Sequence, residues 1–261
     1  MNPFLRWHAI RSRYAILGAV ALIAVLCLGW SVSRYLVNSA RNKLQNESNS
    51  QASALSGHLL DKLEETEHSV MVMAGTPWVA PALQTGGAEN IRRANLVLDR
   101  YREALDATVC YLVDTRGVTI ASSNRDAPDS YVGKYYGFRP YFTQPLLGQP
   151  GRYFALGVTS GERGYYASYP VRDGYQNIIG VAVIKRKIER VESSFRQYPY
   201  CFLVDPHGIV FFSSQPDLLF SSLWPLDEAT QQMIIESRQF GDGSFETLGL
   251  PEAADGAELE L

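Results

Sequence analysis

Cysteine and histidine are scarce in this 261-residue chain, and neither sign of charge is in surplus. Three cysteines are too few to staple a chain of this length into a disulfide scaffold. Lys and Arg number 24 against 27 acidic residues, a formal net charge of −3, so there is no basic surplus to track a phosphate backbone and nucleic acid is not expected as a partner. The four histidines, His8, His58, His68 and His207, stand apart, with no Cys, Asp or Glu array at ligand spacing around them. No metal site and no cofactor is expected. A Gly-x-Ser-x-Gly elbow, a P-loop and a dinucleotide fingerprint are all missing from the sequence. Acidic pairs such as Glu64-Glu65 and Glu258/Glu260 read as solvated faces. No catalytic residue is assigned, and the weight moves to binding. At 46% hydrophobic and 20% charged, the composition also excludes a disordered or collagenous chain.

Charge disappears altogether from Tyr14 to Ser33, a run closed by Arg13 and Arg34. Twenty residues at about 1.5 Å rise span roughly 30 Å, the hydrocarbon core of a bilayer. Trp30 stands where an interfacial aromatic belongs. A cleaved signal peptide is the competing reading, but its apolar region runs to only about 7–15 residues. An uncleaved transmembrane helix over 14–33 is therefore expected, after an N-terminal arm over 1–13. Arg6, Arg11 and Arg13 on one side balance Arg34, Arg41 and Lys43 on the other, so charge alone is nearly silent on orientation. The short arm and the large mixed-charge remainder favour a cytoplasmic arm.

Between Arg34 and Ala74 there is no proline and a single glycine, Gly57. Val37, Leu44, Leu55, Leu59, Leu63, Val70 and Met73 recur at helical spacings, which predicts a long amphipathic helix over 34–74. Such a stripe serves either a parallel coiled coil in a homodimer or packing on the helix's own domain. Gly75, Pro77 and Pro81 then interrupt it, and Ile91 to Leu105 reads as a second helix.

An internal repeat organises the remainder. CYLVDTRGVTIASS from Cys110 returns 91 residues later as CFLVDPHGIVFFSS from Cys201, with seven of fourteen positions identical. Each copy reads as strand, tight turn, strand, with Asp114 or Asp205 opening the turn and Gly117 or Gly208 supplying its permissive position. The offset suits two tandem domains of one fold. Cys110 and Cys201 occupy equivalent strand positions in different domains, so both are expected to be free, buried thiols.

Between the copies the chain is dense in Tyr, Gly and small hydroxyl residues. Tyr153–Thr159, Tyr165–Val171 and Ile178–Ile184 read as strands, with a hairpin loop over Ser160–Gly164. Alternation sets Val181, Val183 and Lys185 on one face, and Tyr166 and Ser168 on one face of the strand before. Arg139 precedes Pro140 in a loop stiffened by prolines and glycines. An Arg and a Lys separated by hydroxyl groups suit an anion with two carboxylates, the guanidinium forking one and the ammonium meeting the other. The alternative is two surface cations paired with Glu162, Asp173 or Glu189.

These residues carry a family resemblance. RPYF from Arg139, YFALG from Tyr153, TSG from Thr159, GYY from Gly164 and SYPV from Ser168, followed by a strand ending in Lys185, resemble the periplasmic sensor region of four-carbon dicarboxylate sensor histidine kinases of the DctB type. The resemblance covers nearly the whole chain and is most specific from Tyr135 to Lys185. It implies an α+β double-Cache architecture, in which an anchor and signalling helix precede two tandem PAS-like antiparallel-sheet domains. Those domains are a membrane-distal ligand-binding one over 75–190 and a membrane-proximal one over 191–261. It further implies Tyr136, Arg139, Thr159, Ser160, Gly161, Tyr166, Ser168 and Lys185 as ligand contacts. It places the domain in the periplasm on a bacterial inner membrane, as the input of a two-component kinase that signals to a response regulator.

Compared with that family, the chain ends early in the second domain and carries no phosphoacceptor or ATP-binding region, so an incomplete proximal domain and no kinase activity of its own are expected. Sensing of an acidic amino acid or 2-oxo acid is an alternative, with Glu162 or Asp173 as acceptor for an ammonium group. A ligand-free, membrane-anchored interaction module is another.

Overall fold

The computed structural model describes residues 3–187, 198, 201–241 and 245–250. The chain divides into two compact units, 1–54 and 55–261. A single helix, α1 (Pro3–Ala74), supplies nearly all of the first unit and enters the second. Within the first unit, Leu22, Ile23, Val25, Leu26, Leu28 and Trp30 are all exposed. A stretch of this helix reaches a mean hydropathy of 1.3 with none of it buried in protein, so it is long and apolar enough to cross a membrane. Arg34 lies 4.9 Å from the Trp30 ring centroid, at the end of the charge-free run. Val37 and Leu44 are exposed.

In the second unit the same helix behaves differently. Leu59, Leu63, Thr66, Val70 and Met73 are buried, a spacing of alternating four and three that keeps them on one face. Thr66 is tolerated in this apolar row because its hydroxyl donates to the Lys62 carbonyl at 2.8 Å. The C-terminal part of the expected stripe thus packs on its own domain.

Two further helices follow, α2 (Val79–Gln84) and α3 (Ala88–Leu105). Gly87 at φ +78° begins α3, and Asp106 in the left-handed region ends it. The sheet strands are β1 (Val109–Asp114), β2 (Thr119–Ser122), β3 (Gly151–Leu156), β4 (Arg163–Arg172) and β5 (Ile178–Lys187). They form one antiparallel sheet in the order β2-β1-β5-β4-β3. The strands after the hairpin loop run longer than the sequence pattern indicated, and β3 stops at Leu156 rather than Thr159.

The sheet separates two cores. Cys110, Leu112, Phe154, Tyr165, Ala167, Ala182 and Ile184 face α1, α2 and α3. Val109, Tyr111, Tyr166, Val181 and Val183 face the 123–139 connection and a short helix, α4 (Pro140–Leu146). This helix was not expected, since the region read as a stiff loop. Pro140 at its first position explains it, because the missing N–H there would have no helical partner.

The repeat is visible atom by atom. Backbone N–H groups of Cys110 and Cys201 each donate to a serine hydroxyl, Ser123 and Ser214, at 3.0 Å. Asp114 and Asp205 each accept from two backbone amides in their turns. Gly117 and Gly208 hold φ +85° and +80°. The second copy forms β6 (Phe202–Val204) and β7 (Val210–Ser213), then a 3-10 turn and α5 (Glu228–Ser237). Asp227 caps α5 by accepting from the Thr230 amide at 2.7 Å. Cys110 and Cys201 are both free, but Cys201 is half-buried rather than buried, because β6 has β7 as its one described neighbour.

Candidate ligand-binding site

Strand alternation decides which side chains meet on the loop-covered face. In register, Lys185 on β5 lies opposite Val109 on β1 and Tyr166 on β4, and Tyr166 lies opposite Tyr153 on β3. Lys185 is fully buried, its stem lying along the valine row. Its Nζ donates to Ser160 Oγ at 2.7 Å and to the Glu162 carbonyl at 3.3 Å, and lies 5.5 Å from the Tyr166 ring centroid. An ammonium held here among hydroxyl and carbonyl oxygens is placed to meet a carboxylate.

The 157–162 loop closes over this ammonium. Gly157 N–H donates to the Glu162 carbonyl at 3.0 Å, and Gly161, at φ +66°, donates back to the Gly157 carbonyl at 2.8 Å. A Cβ at Gly157 would lie 2.6 Å from Ser160 Oγ and 2.9 Å from both Lys185 Nζ and Tyr166 Oη. Three polar groups therefore converge on a backbone position that must stay bare. Tyr136, from the 123–139 connection, meets the same loop, where its Oη and Thr159 Oγ1 share a hydrogen bond of 2.7 Å.

Aromatic packing holds the floor and sides. Tyr141, on α4, stacks on Tyr166 with centroids 4.9 Å apart and planes 1° from parallel. Tyr131 meets Tyr111 edge-on at 5.3 Å and Tyr136 at 5.6 Å. Burial pushes Tyr131 up to about 12, with the Ser160 hydroxyl opposing the rise, and also raises Tyr136 and Tyr166. These phenols stay neutral donors across the physiological range. The arrangement is a polar, cation-centred niche in an aromatic cage, suited to a small carboxylate.

No family model matches the chain. The C4-dicarboxylate transport sensor protein DctB of Pseudomonas aeruginosa is 31% identical over 233 residues, covering 88% of this chain and 37% of that protein. DctB of Rhizobium meliloti is 32% identical over 241 residues, covering 90% and 38%. The crystal structure of the V. cholerae histidine kinase DctB sensor domain matches with a TM-score of 0.74 and 36% identity, covering 80% of this chain and 81% of that one. The chain belongs to the DctB sensor family. It spans under two fifths of the length of the curated relatives, 37% and 38%, and most of the solved sensor domain, 81%. A Pseudomonas aeruginosa amino-acid chemoreceptor domain in complex with GABA shares the fold at a TM-score of 0.55 and 20% identity.

Within this DctB-type domain the eight expected contacts do not all meet. Tyr136, Thr159, Ser160, Tyr166 and Lys185 form the niche, and Gly161 shapes its loop. Ser168 is buried one strand step away, donating to the Tyr141 carbonyl at 2.6 Å, so it fastens α4 to the sheet. Arg139 is 2% exposed, and its guanidinium donates to the carbonyls of Leu156 at 2.8 Å, Arg238 at 3.1 Å and Ser237 at 3.3 Å. Two of those carbonyls end α5, where the helix dipole is negative and favours a cation. Leu156 is the residue before Gly157, so Arg139 holds the backbone where the 157–162 loop begins, and Lys185 holds its far end at the Glu162 carbonyl.

The acids weighed as ammonium acceptors are engaged elsewhere. Asp173 accepts from Tyr175 N–H, Asn177 N–H and Asn177 Nδ2 in the β4–β5 turn, which lowers its pKa, and Glu162 pairs with Lys187 at 2.7 Å. Sequence reasoning missed Tyr131, Tyr141 and Gly157. Tyr131 comes from the connection after the first repeat, outside the tyrosine-dense stretch, and Gly157 had no signal beyond the family motif.

Proposed function

We propose that this chain is the extracytoplasmic sensing module of a DctB-type sensor histidine kinase, and that the Lys185 niche binds a small dicarboxylate such as succinate, malate or fumarate. The supporting observation is the buried Lys185 ammonium, with Ser160, Thr159, Tyr136 and Tyr166 gathered about it. One ligand carboxylate replaces the weak Glu162 carbonyl contact at Lys185 Nζ with a charge-assisted bond, and the Ser160, Tyr166 and Thr159 hydroxyls supply neutral donors. On this reading α1 anchors the protein in the inner membrane with the 55–261 unit in the periplasm. A homodimer passes the ligand signal to a kinase and its response regulator, and C4-dicarboxylate transport is the process regulated. The engagement of Asp173 and Glu162 elsewhere disfavours an amino-acid ligand.

Calorimetric titration of the full chain in lipid nanodiscs against succinate, malate, fumarate, glutamate and 2-oxoglutarate tests this. The four-carbon diacids should bind most tightly. Lys185→Met, an apolar side chain of similar length, should abolish that binding, with circular dichroism confirming that the variant remains folded. Equal binding by Lys185→Met would refute the site. Tighter binding of glutamate than of any diacid would refute the ligand class.

A further inference from the structure

Tyr166 and Lys185 are opposed in register, and so are their chain neighbours, Tyr165 and Arg186. Successive strand residues point to opposite faces, so the pocket pair is backed by a second pair on the helix-covered face. That second pair bonds to α1. The Tyr165 hydroxyl donates to Glu67 Oε1 at 2.6 Å. Arg186 Nη1 donates to Glu65 Oε2 at 3.1 Å and to Thr66 Oγ1 at 3.2 Å. Arg152 on β3 completes the set, with Nη2 2.8 Å from Glu67 Oε2. Three consecutive residues of α1 are thus held by side chains, two of which lie one peptide away from the niche.

We propose that Glu67, with Glu65 and Thr66 beside it, is the positioning residue that couples the niche to α1. The proposal rests on the reading of the Lys185 face as the ligand site. β5 is paired to β1 and β4, and β4 to β5 and β3, so neither strand can shift at Lys185 or Tyr166 by fraying at an edge. A displacement of the front pair is carried to the back pair through the shared backbone. Glu65 is about half-exposed and contributes little by its ion pair alone. Glu67 is 17% exposed and receives two bonds, so the contact is strongest there. By linkage, whatever α1 feels from the ligand, the niche must feel from α1 to the same degree.

Hydrogen–deuterium exchange of the full chain in nanodiscs tests the coupling without any ligand. Glu67→Ala should make amides of 157–166 exchange about tenfold faster, the fold-change of one lost hydrogen bond to a charged group. Amides of β1 and β2 should hold. Glu67→Gln keeps an acceptor for Tyr165 and should recover most of the protection, and Tyr165→Phe should reproduce the loss if Glu67→Ala fails to fold. A uniform rise across the sheet, or no change at 157–166, overturns the proposal. In a second arm, saturating succinate should slow exchange in 59–73 of the wild type and not of Glu67→Ala. Succinate that binds by calorimetry yet leaves 59–73 unchanged overturns the coupling alone. No heat from any diacid, with the ligand-free result obtained, supports the coupling and overturns the ligand reading instead.

Discussion

Replacing Arg139 by alanine separates two roles that the side chain could play, bridging and ligand contact. The structure gives it three carbonyl acceptors at 2.8, 3.1 and 3.3 Å. A hydrogen bond from a charged donor contributes about 1.5–3 kcal/mol, and the three share one side chain that must be desolvated, so they do not add in full. Counting the two shorter bonds and discounting for desolvation, Arg139→Ala should cost about 3 kcal/mol. For a folded unit of this size that is a fall in Tm of about 6–12 °C. Arg139→Lys restores the charge near the end of α5 but reaches fewer carbonyls, and should recover about half. Thermal unfolding of the full chain in nanodiscs, followed by near-ultraviolet circular dichroism, reads both variants. A Tm within about 2 °C of wild type for Arg139→Ala, together with a tenfold loss of succinate affinity, would refute the bridging account. The guanidinium would then face the ligand.

Gly157→Ala should weaken diacid binding and lower Tm by about 2–12 °C, the cost of overpacking a buried position. Its methyl would crowd Ser160 Oγ, Lys185 Nζ and Tyr166 Oη, while Gly157 does not adopt the positive-φ backbone that would penalise alanine; isothermal titration beside a thermal melt checks it, and unchanged affinity would contradict the convergence at Gly157. Asp205 is buried, its Oδ2 has no hydrogen-bond partner among the described residues, and desolvation raises its pKa. The unfolded chain gives up this proton first as pH rises, so the folded state binds more protons between the two pKa values and loses stability through that window. Asp205→Asn, which keeps an oxygen for the His207 and Ile209 amides, should therefore raise Tm at neutral pH and make no difference below the ordinary Asp value, about 3.9. A higher wild-type Tm at neutral pH would reverse that sign. Burial pushes the Cys110 thiol up to about 12, so a maleimide at neutral pH should modify it only after unfolding, whereas half-buried Cys201 should react in the native state.

Much of the fold was legible because its signals are local. The charge-free run, the helical stripe and the Asp-x-x-Gly turns each depend on spacing within a few residues, and each appears as an element. The front face of β5 was legible for the same reason, since Val181, Val183 and Lys185 alternate without interruption. Helix α4 was hidden because prolines at 140 and 145 read as breakers, although proline is well suited to a first helical position.

The candidate site was legible in residue type and less so in direction. Lys185, Ser160, Thr159, Tyr136 and Tyr166 were named from chemistry and motif, and they meet. Arg139 was named for the same chemistry, yet its guanidinium turns to Ser237 and Arg238, 98 and 99 residues further along the chain. No local pattern announces a partner at that distance. Ser168 is similar: the strand face was read correctly, but only the placement of α4 puts the Tyr141 carbonyl within its reach.

Taken alone, the sequence determined what each segment must be: a span without charge, a long helix with one apolar stripe, a duplicated hairpin, and a lysine ending a valine strand. Those follow from periodicity and the cost of placing charge in an apolar medium, both properties of neighbouring residues. Tertiary structure decided how the pieces use one another. It chose which half of the α1 stripe is buried, set Tyr165 against Glu67 behind the niche, and gave Arg139 the end of α5 rather than open space. Those choices depend on sheet order and register, which bring together groups that the chain itself keeps far apart.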